Sequence, residues 1–142
     1  MKIGLKVIFS NICLRHYNIS RSLKAINGKR KSASVIIPCK NERGNVASAI
    51  KRIPRFTDDI EVIFVEGNSS DGTWEEINKV IKANKTSNKK FNIKALKQPS
   101  KGKADAVFHA FDNATNDILI ILDGDLTVAP ETLRKFWKKI SS

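Results

Sequence analysis

The sequence predicts an α/β fold: a doubly wound, mostly parallel sheet in which four strands alternate with four helices. Three observations carry this. Short apolar runs recur about every thirty residues from Ser32 onward, the size of a strand–helix–strand unit. Each run is followed by a segment whose apolar residues recur at helical spacing. Polar and glycine-containing residues gather just after every run, at the sheet edge where such folds bind ligands.

Residues 1–31 stand apart from this pattern. They hold Lys2, Lys6, Arg15, Arg21, Lys24, Lys29, Arg30 and Lys31 and no acid, whereas the rest of the 142-residue chain carries 18 bases and all 14 acids. Most of the net charge of +12 therefore belongs to a basic N-terminal arm, and residues 32–142 read as one domain. Leu5, Ile8, Phe9 and Ile12 fall at i, i+3, i+4, i+7 and predict an amphipathic helix. The apolar stretch is shorter than the roughly 20 residues that span a bilayer, and it lacks the small-residue cleavage site of a secretory signal. The expectation is a cytoplasmic protein. Its arm either packs on the domain, or on a domain not included in this chain, or lies peripherally at the cytoplasmic membrane face, bases against anionic lipid. Nucleic acid is not the expected partner, because Tyr17 is the one aromatic between Arg15 and Lys31. Two cysteines, Cys13 and Cys39, are too few for a disulfide framework and suit a reducing compartment.

The elements follow in order. Ala33–Ile37 is the first strand, stopped by Pro38. A helix from about Glu42 to Ile53 turns Val46, Ile50 and Ile53 to one side, with Pro54 beyond it. Ile60–Val65 is the second strand. Its helix, about Asp71 to Ala83, turns Trp74, Ile77 and Ile81 inward, and Thr73 with Glu76 has the spacing of a capping box. Lys82–Lys90 reads as a solvated loop. Phe91–Leu96 alternates only partly, with Asn92 and Lys94 exposed, as an edge strand does. The next helix, about Lys103 to Asn113, has Ala104, Val107, Phe108 and Phe111 on its inward face. Ile118–Leu122 is apolar at every position, as in a central strand covered on both faces. The last helix starts at Pro130 and directs Leu133, Phe136, Trp137 and Ile140 inward. The usual crossover handedness orders the strands 3-2-1-4.

Ligands of such sheets bind near the point where strand order reverses, here between strands one and four. Four tips line that edge: Pro38–Glu42, Glu66–Thr73, Lys101–Lys103 and Asp123–Asp125. On an extended tip, residues two apart point the same way, so Asp123 and Asp125 present their carboxylates together, and Gly124 lets a ligand approach the backbone. Hard divalent ions such as Mg²⁺ or Mn²⁺ take oxygen ligands, typically one or two carboxylates shared with substrate phosphates. Asp71 reads as a helix cap. His16 and His109 have no partner pattern and receive no role. A phospho-acceptor receiver domain would need acids after the first strand and an Asp at a central strand tip with a partner Lys later, and the Pro38-x-x-Asn41-Glu42 tip and Asp123-Gly124-Asp125 argue against it.

Taken together the tips resemble the family 2 glycosyltransferases of the Rossmann-like GT-A fold, in the branch of the dolichyl-phosphate mannose synthases and polyprenyl-phosphate sugar transferases. The matching stretches are residues 34–42 (SVIIPCKNE), 65–73 (VEGNSSDGT), 101–106 (KGKADA) and 121–131 (ILDGDLTVAPE). The resemblance implies that Pro38, Asn41 and Glu42 hold the donor nucleotide and that Glu66 contacts its base. It further implies that Gly102 and Ala104 pack a loop against the nucleotide. Asp123 and Asp125 match the family's Asp-x-Asp and imply a metal, Mg²⁺ or Mn²⁺, at the donor diphosphate, with Asp125 the more direct ligand. Lys101 and Lys103 are read either as counter-ions to phosphate or as solvated surface. The family commonly carries two Asp after the second strand, where this chain has Glu66-Gly67, so the choice between UDP- and GDP-sugars stays open. Gly124 stands where Ala is more usual, which reads as a mild change.

The implied function is a glycosyltransferase that binds a nucleotide-diphosphate sugar through a divalent metal and passes the sugar to an acceptor such as a polyprenyl phosphate. In the resembling family the sheet continues into an acceptor-facing half. Ending at Ser142, the chain reads as the donor-binding half, and the rival reading is a non-catalytic nucleotide-binding fragment.

Overall fold

The runs Ser34–Ile37, Val62–Val65 and Ile118–Ile121, rich in β-branched residues, suit a pleated, buried surface, and they form the centre of one sheet. The computed structural model describes residues 19–21 and 32–141. Five strands, β1 (Ile19–Arg21), β2 (Ala33–Cys39), β3 (Ile60–Glu66), β4 (Asn92–Lys97) and β5 (Ile118–Ile121), lie in the order β1-β5-β2-β3-β4. The last four are parallel, and their order is the expected 3-2-1-4. The basic segment contributes β1, which runs antiparallel along β5 with Ile19 opposite Ile120, a pairing not foreseen in the sequence. The amphipathic helix expected at Leu5–Ile12 lies outside the described residues.

Helices α1 (Arg43–Arg52), α2 (Thr73–Asn84), α3 (Lys103–Asn113) and α4 (Leu133–Ser141) connect and flank the strands, with a 3-10 turn, Pro130–Thr132, leading into α4. One face of the sheet is thick. Val35, Ile37, Val62, Phe64, Ile118 and Ile120 pack there against Val46 and Ala49 of α1, Ile77 and Val80 of α2, and Leu133 and Trp137 of α4. The other face is covered by α3, with Ala106 and Ala110 against Ile36, Ile63 and Val65. Right-handed crossovers give this asymmetry, because β2, β3 and β4 step one way across the sheet and β5 returns the other way.

Several local expectations are corrected. Strand β2 continues through Pro38 to Cys39. Leu122 N–H donates to Ile36 O at 2.9 Å, so by strand alternation Pro38 also faces the β5 side, beyond the last paired residue of β5. Its missing N–H therefore removes no ladder bond. The Thr73–Glu76 capping box does not form: Gly72 is the N-cap, left-handed and without a side-chain cap bond. On α3 the buried residues are Ala106 and Ala110, while Ala104 is exposed and Phe108 is 56% exposed. The inward face is rotated from the one expected, because two alanines let the helix approach the sheet closely where phenylalanines would hold it off. Strand β5 is buried at Ile118 and Ile120 but half-exposed at Leu119 and Ile121, so it is fully covered on one face only. Trp74 is half-buried beneath Lys97, whose ammonium lies 4.8 Å from the ring centre.

Lys94 is not a free surface lysine. Its ammonium lies 2.6 Å from Oε1 of Glu61, which is fully buried, and it also donates to Asn113 O. Glu61 further accepts from Ser34 Oγ at 2.6 Å and from the Thr115 backbone and hydroxyl at 3.2 and 3.1 Å. A buried carboxylate needs such partners. The network ties β2, β3, β4 and the start of β5 together at the end of the sheet opposite the four tips.

Candidate functional site

The tips after β2 and β3 are joined into one wall. Gly67 N–H donates to Cys39 O at 2.8 Å, Asn41 N–H to Ser69 Oγ at 2.9 Å and Ser70 N–H to Asn41 Oδ1 at 3.0 Å. Glu42 N–H donates to Thr73 Oγ1 at 2.9 Å and Arg43 N–H to Asp71 Oδ2 at 3.1 Å. Asn41 and Asn68 both take φ +56°, a left-handed conformation that asparagine tolerates better than most residues. Asp71 Oδ1 also accepts the Thr73 backbone and hydroxyl, and the Thr73 contacts hold its carboxyl below the usual range. Asp71 is thus not the N-cap, which is Gly72, but its role is structural: it braces the starts of α1 and α2.

The tip after β4 joins this wall through Gln98, whose N–H donates to Glu66 O at 2.9 Å and whose amide donates to Gly102 O at 2.7 Å. The tip after β5 is a turn, not an extended segment. Leu126 N–H donates to Asp123 O at 3.0 Å, and Leu126 has φ +53°. The two aspartates reach one cleft by that turn rather than by strand alternation. Gly124 is buried in it, and a β-carbon there would lie 2.7 Å from Pro38 O and 3.3 Å from Glu42 Cγ. Glycine is therefore required by the packing of tip on tip, so the change from Ala is not mild, and no ligand need approach its backbone.

Between these walls lies a cleft of about 360 Å³. Pro38, Glu42, Gly102, Asp123 and Asp125 line it, as the sequence reading expected; Asn41, Glu66 and Ala104 do not. Asn41 is engaged with Ser69 and Ser70. Glu66 is buried, its carboxylate taking the Ser69 N–H, and Ala104 lies exposed on the first turn of α3. The cleft also includes Lys40 and Asn68, which belong to the expected tips but were given no role, and Gln98 and Ser100, which sequence reasoning missed. The turn-prone Asn68 was the one visible signal.

Charge in the cleft is mixed. Glu42, braced by the Asn45 amide at 2.7 Å, faces the cleft with Asp123 and Asp125. Lys103 forms an ion pair with Asp123 Oδ1 across the opening. Asp125 Oδ1 accepts the Thr127 N–H at 3.0 Å, and this bond, helped by the Thr127 hydroxyl and by Lys103, holds its carboxyl below the usual range. Cys39 is the reverse case: burial, and then Glu42 and Glu66, push its thiol up to about 12. A thiol so held stays protonated and is no nucleophile.

Among the described residues no three His, Cys, Asp or Glu side chains gather as a closed metal cage. Two hard oxygen donors two residues apart at an open rim fit Mg²⁺ or Mn²⁺ that completes its shell from a bound phosphate and water. Among the same residues no helix is long and apolar enough to cross a membrane.

A dolichol-phosphate mannosyltransferase of Pyrococcus furiosus is 33% identical over 112 residues, covering 77% of this chain and 30% of the relative. Its counterpart from Saccharomyces cerevisiae is 28% identical over 113 residues, 75% of this chain and 40% of the relative. This chain therefore spans less than half the length of either. A mannosyltransferase from Pyrobaculum calidifontis, solved in complex with GDP-Man and Mn²⁺, superposes with a TM-score of 0.67 at 27% identity, covering 81% of this chain and 34% of that one. The glucosyl-3-phosphoglycerate synthase of Mycobacterium tuberculosis shares the fold at a TM-score of 0.56 and 20% identity, over 72% of this chain and 38% of that one. The sheet order and these neighbours identify a GT-A-like Rossmann fold. The model of glycosyl transferase family 2 matches residues 34–142, most of the chain, and with the four tips in place the protein belongs to that family.

Proposed function

We propose that the cleft binds a nucleotide-diphosphate sugar together with Mg²⁺ or Mn²⁺, and that the domain takes part in transfer of the sugar to a lipid phosphate. The observation that carries this is the Asp123–Asp125 turn seated on Pro38, between β2 and β5, where strand order reverses. The mannosyltransferase neighbour in complex with GDP-Man and Mn²⁺, and the dolichol-phosphate mannosyltransferases, support the choice of donor class and acceptor class.

On this reading the wall formed by Pro38, Glu42 and Gly67 receives the nucleoside. Asn41 and Glu66 act as positioning residues, since they shape the backbone of that wall from behind. Gly102 sets the course of the loop that flanks the nucleotide, and Ala104 follows it on the first turn of α3. Asp125, with Asp123, would hold the metal, and Thr127 keeps the Asp125 carboxylate aimed and ionised. When bound, the divalent ion neutralises charge developing on the leaving nucleoside diphosphate. A lipid-phosphate oxygen is its own nucleophile, so no protein base is required. The eight bases of residues 1–31 meet the anionic cytoplasmic face of the membrane, where a lipid acceptor resides.

The rival reading is donor binding by this chain without transfer, so binding and turnover are read separately. Calorimetry with GDP-mannose and UDP-glucose, with and without Mn²⁺, should show Mn²⁺-dependent binding that Asp125→Ala abolishes; no metal-dependent binding of either donor overturns the proposal. Turnover onto dolichyl phosphate by the 142-residue chain decides between transfer and binding alone.

A further inference from the structure

We propose that Lys103 is the resident counter-cation of Asp123 in the donor-free protein, and that the divalent ion must displace it before both carboxylates of the turn are available. The inference rests on the donor-and-metal reading above and adds to it a competition between a side chain and the metal for one oxygen.

Four observations support it. Lys103 is the first residue of α3, and its ammonium crosses the opening to Asp123 Oδ1, in the turn after β5. The Lys103 side chain is 61% exposed and that of Asp123 20%, so the pair is accessible to solvent and ions. Lys103 also stands where a helix disfavours a cation: the N-terminal end of α3 carries positive partial charge, and it has no side-chain cap bond. The lysine therefore does nothing for its own helix, and its nearest opposite charge is across the cleft. Finally, the two carboxylates are satisfied differently. Asp125 takes the Thr127 N–H from within its own turn, whereas Asp123 takes its ion pair from another tip.

The consequences have opposite signs. An exposed ion pair is weak, and a divalent ion at the same oxygen replaces it readily. Wild-type protein therefore binds metal less tightly than a variant without the ammonium. Once displaced, Lys103 remains tethered at the mouth of the cleft, since Gln98 holds the Gly102 carbonyl, and its charge is then directed to the donor diphosphate. One residue thus opposes the metal and favours the nucleotide.

The test is Mn²⁺ titration of the full, donor-free chain followed by electron paramagnetic resonance, comparing wild type with Lys103→Met and Lys103→Arg. Lys103→Met should bind Mn²⁺ about fivefold more tightly, a difference that shrinks in high salt, while Lys103→Arg stays close to wild type. At saturating Mn²⁺, Lys103→Met should bind GDP or UDP, whichever wild type takes, several-fold more weakly. Equal Mn²⁺ affinity in wild type and Lys103→Met, or weaker binding by the variant, overturns this proposal and leaves the donor reading standing. If no form binds Mn²⁺ with or without nucleotide, both fall together.

Discussion

Gly124 rests against the carbonyl oxygen of Pro38, so close that a β-carbon on it would lie 2.7 Å away. Backbone meets backbone here, and neither side has a flexible end to give way. Gly124→Ala should therefore cost about 1–3 kcal/mol, the usual range for overpacking, and push the Asp123–Asp125 turn off the Pro38 tip. Urea denaturation reads the first effect and Mn²⁺-dependent donor binding the second. An unchanged urea midpoint would show that the two tips have room to spare.

The Glu61–Lys94 pair predicts a pH dependence. Burial by itself raises the Glu61 carboxyl, but hydrogen bonds from Lys94, Ser34 and Thr115 outweigh it and hold the group below the usual range. A carboxyl depressed by folding lends stability that is fully present above its unfolded value, about 4.3, and is lost as pH falls through the folded value. Lys94→Met strands a buried carboxylate and should cost about 3 kcal/mol at pH 7. In that variant the lowering by Lys94 is gone, so the part of the gap that comes from the depressed carboxyl should shrink as pH falls below the unfolded value of about 4.3. Urea midpoints between pH 7 and pH 3 check this, and a constant gap would mean that Lys94 contributes nothing through charge.

Phe108 and Phe64 should respond very differently to truncation. Phe64 is fully buried between the sheet and its thick face, and Phe64→Ala should cost about 3–5 kcal/mol. Phe108 is exposed and keeps an edge-on contact with Phe111, ring centres 6.1 Å apart, worth about 0.5–1.5 kcal/mol. Phe108→Ala should cost no more than that. A loss equal to that of Phe64→Ala would restore Phe108 to the core, as helical spacing alone suggested.

The reason periodicity misplaced Phe108 is instructive. The spacing of Ala104, Val107, Phe108 and Phe111 reports that α3 is amphipathic, and its bounds, Lys103–Asn113, are those expected. Spacing weighs a residue by its apolarity, whereas packing selects by size, and here alanines face the sheet. Similarly, apolar residues throughout Ile118–Leu122 located a strand beside the switch point but not how many layers cover it. Strand order and the gathering of Pro38, Glu42, Gly102, Asp123 and Asp125 were legible because topology places every βα tip on one edge. The remainder was not: Gln98 and Ser100 enter the cleft through the course of a loop, and the closeness of Gly124 to Pro38 depends on atoms 86 residues apart in the chain. The lysine at position 94 reads as surface until its buried partner is seen.

The place of β5 also bears on how the protein comes together. Ser32 and Asp117, 85 residues apart, hydrogen-bond where β5 joins β2, while β2, α1, β3 and α2 make their contacts within about half that separation. Chain entropy opposes distant closures more than near ones, and contacts of high sequence separation slow folding. The nucleoside wall can form from one contiguous stretch of chain, but the aspartates reach it only when β5 docks. The cleft thus depends on a closure across 85 residues of chain, so a change that weakens the β2–β5 junction acts on the site as well as on the sheet.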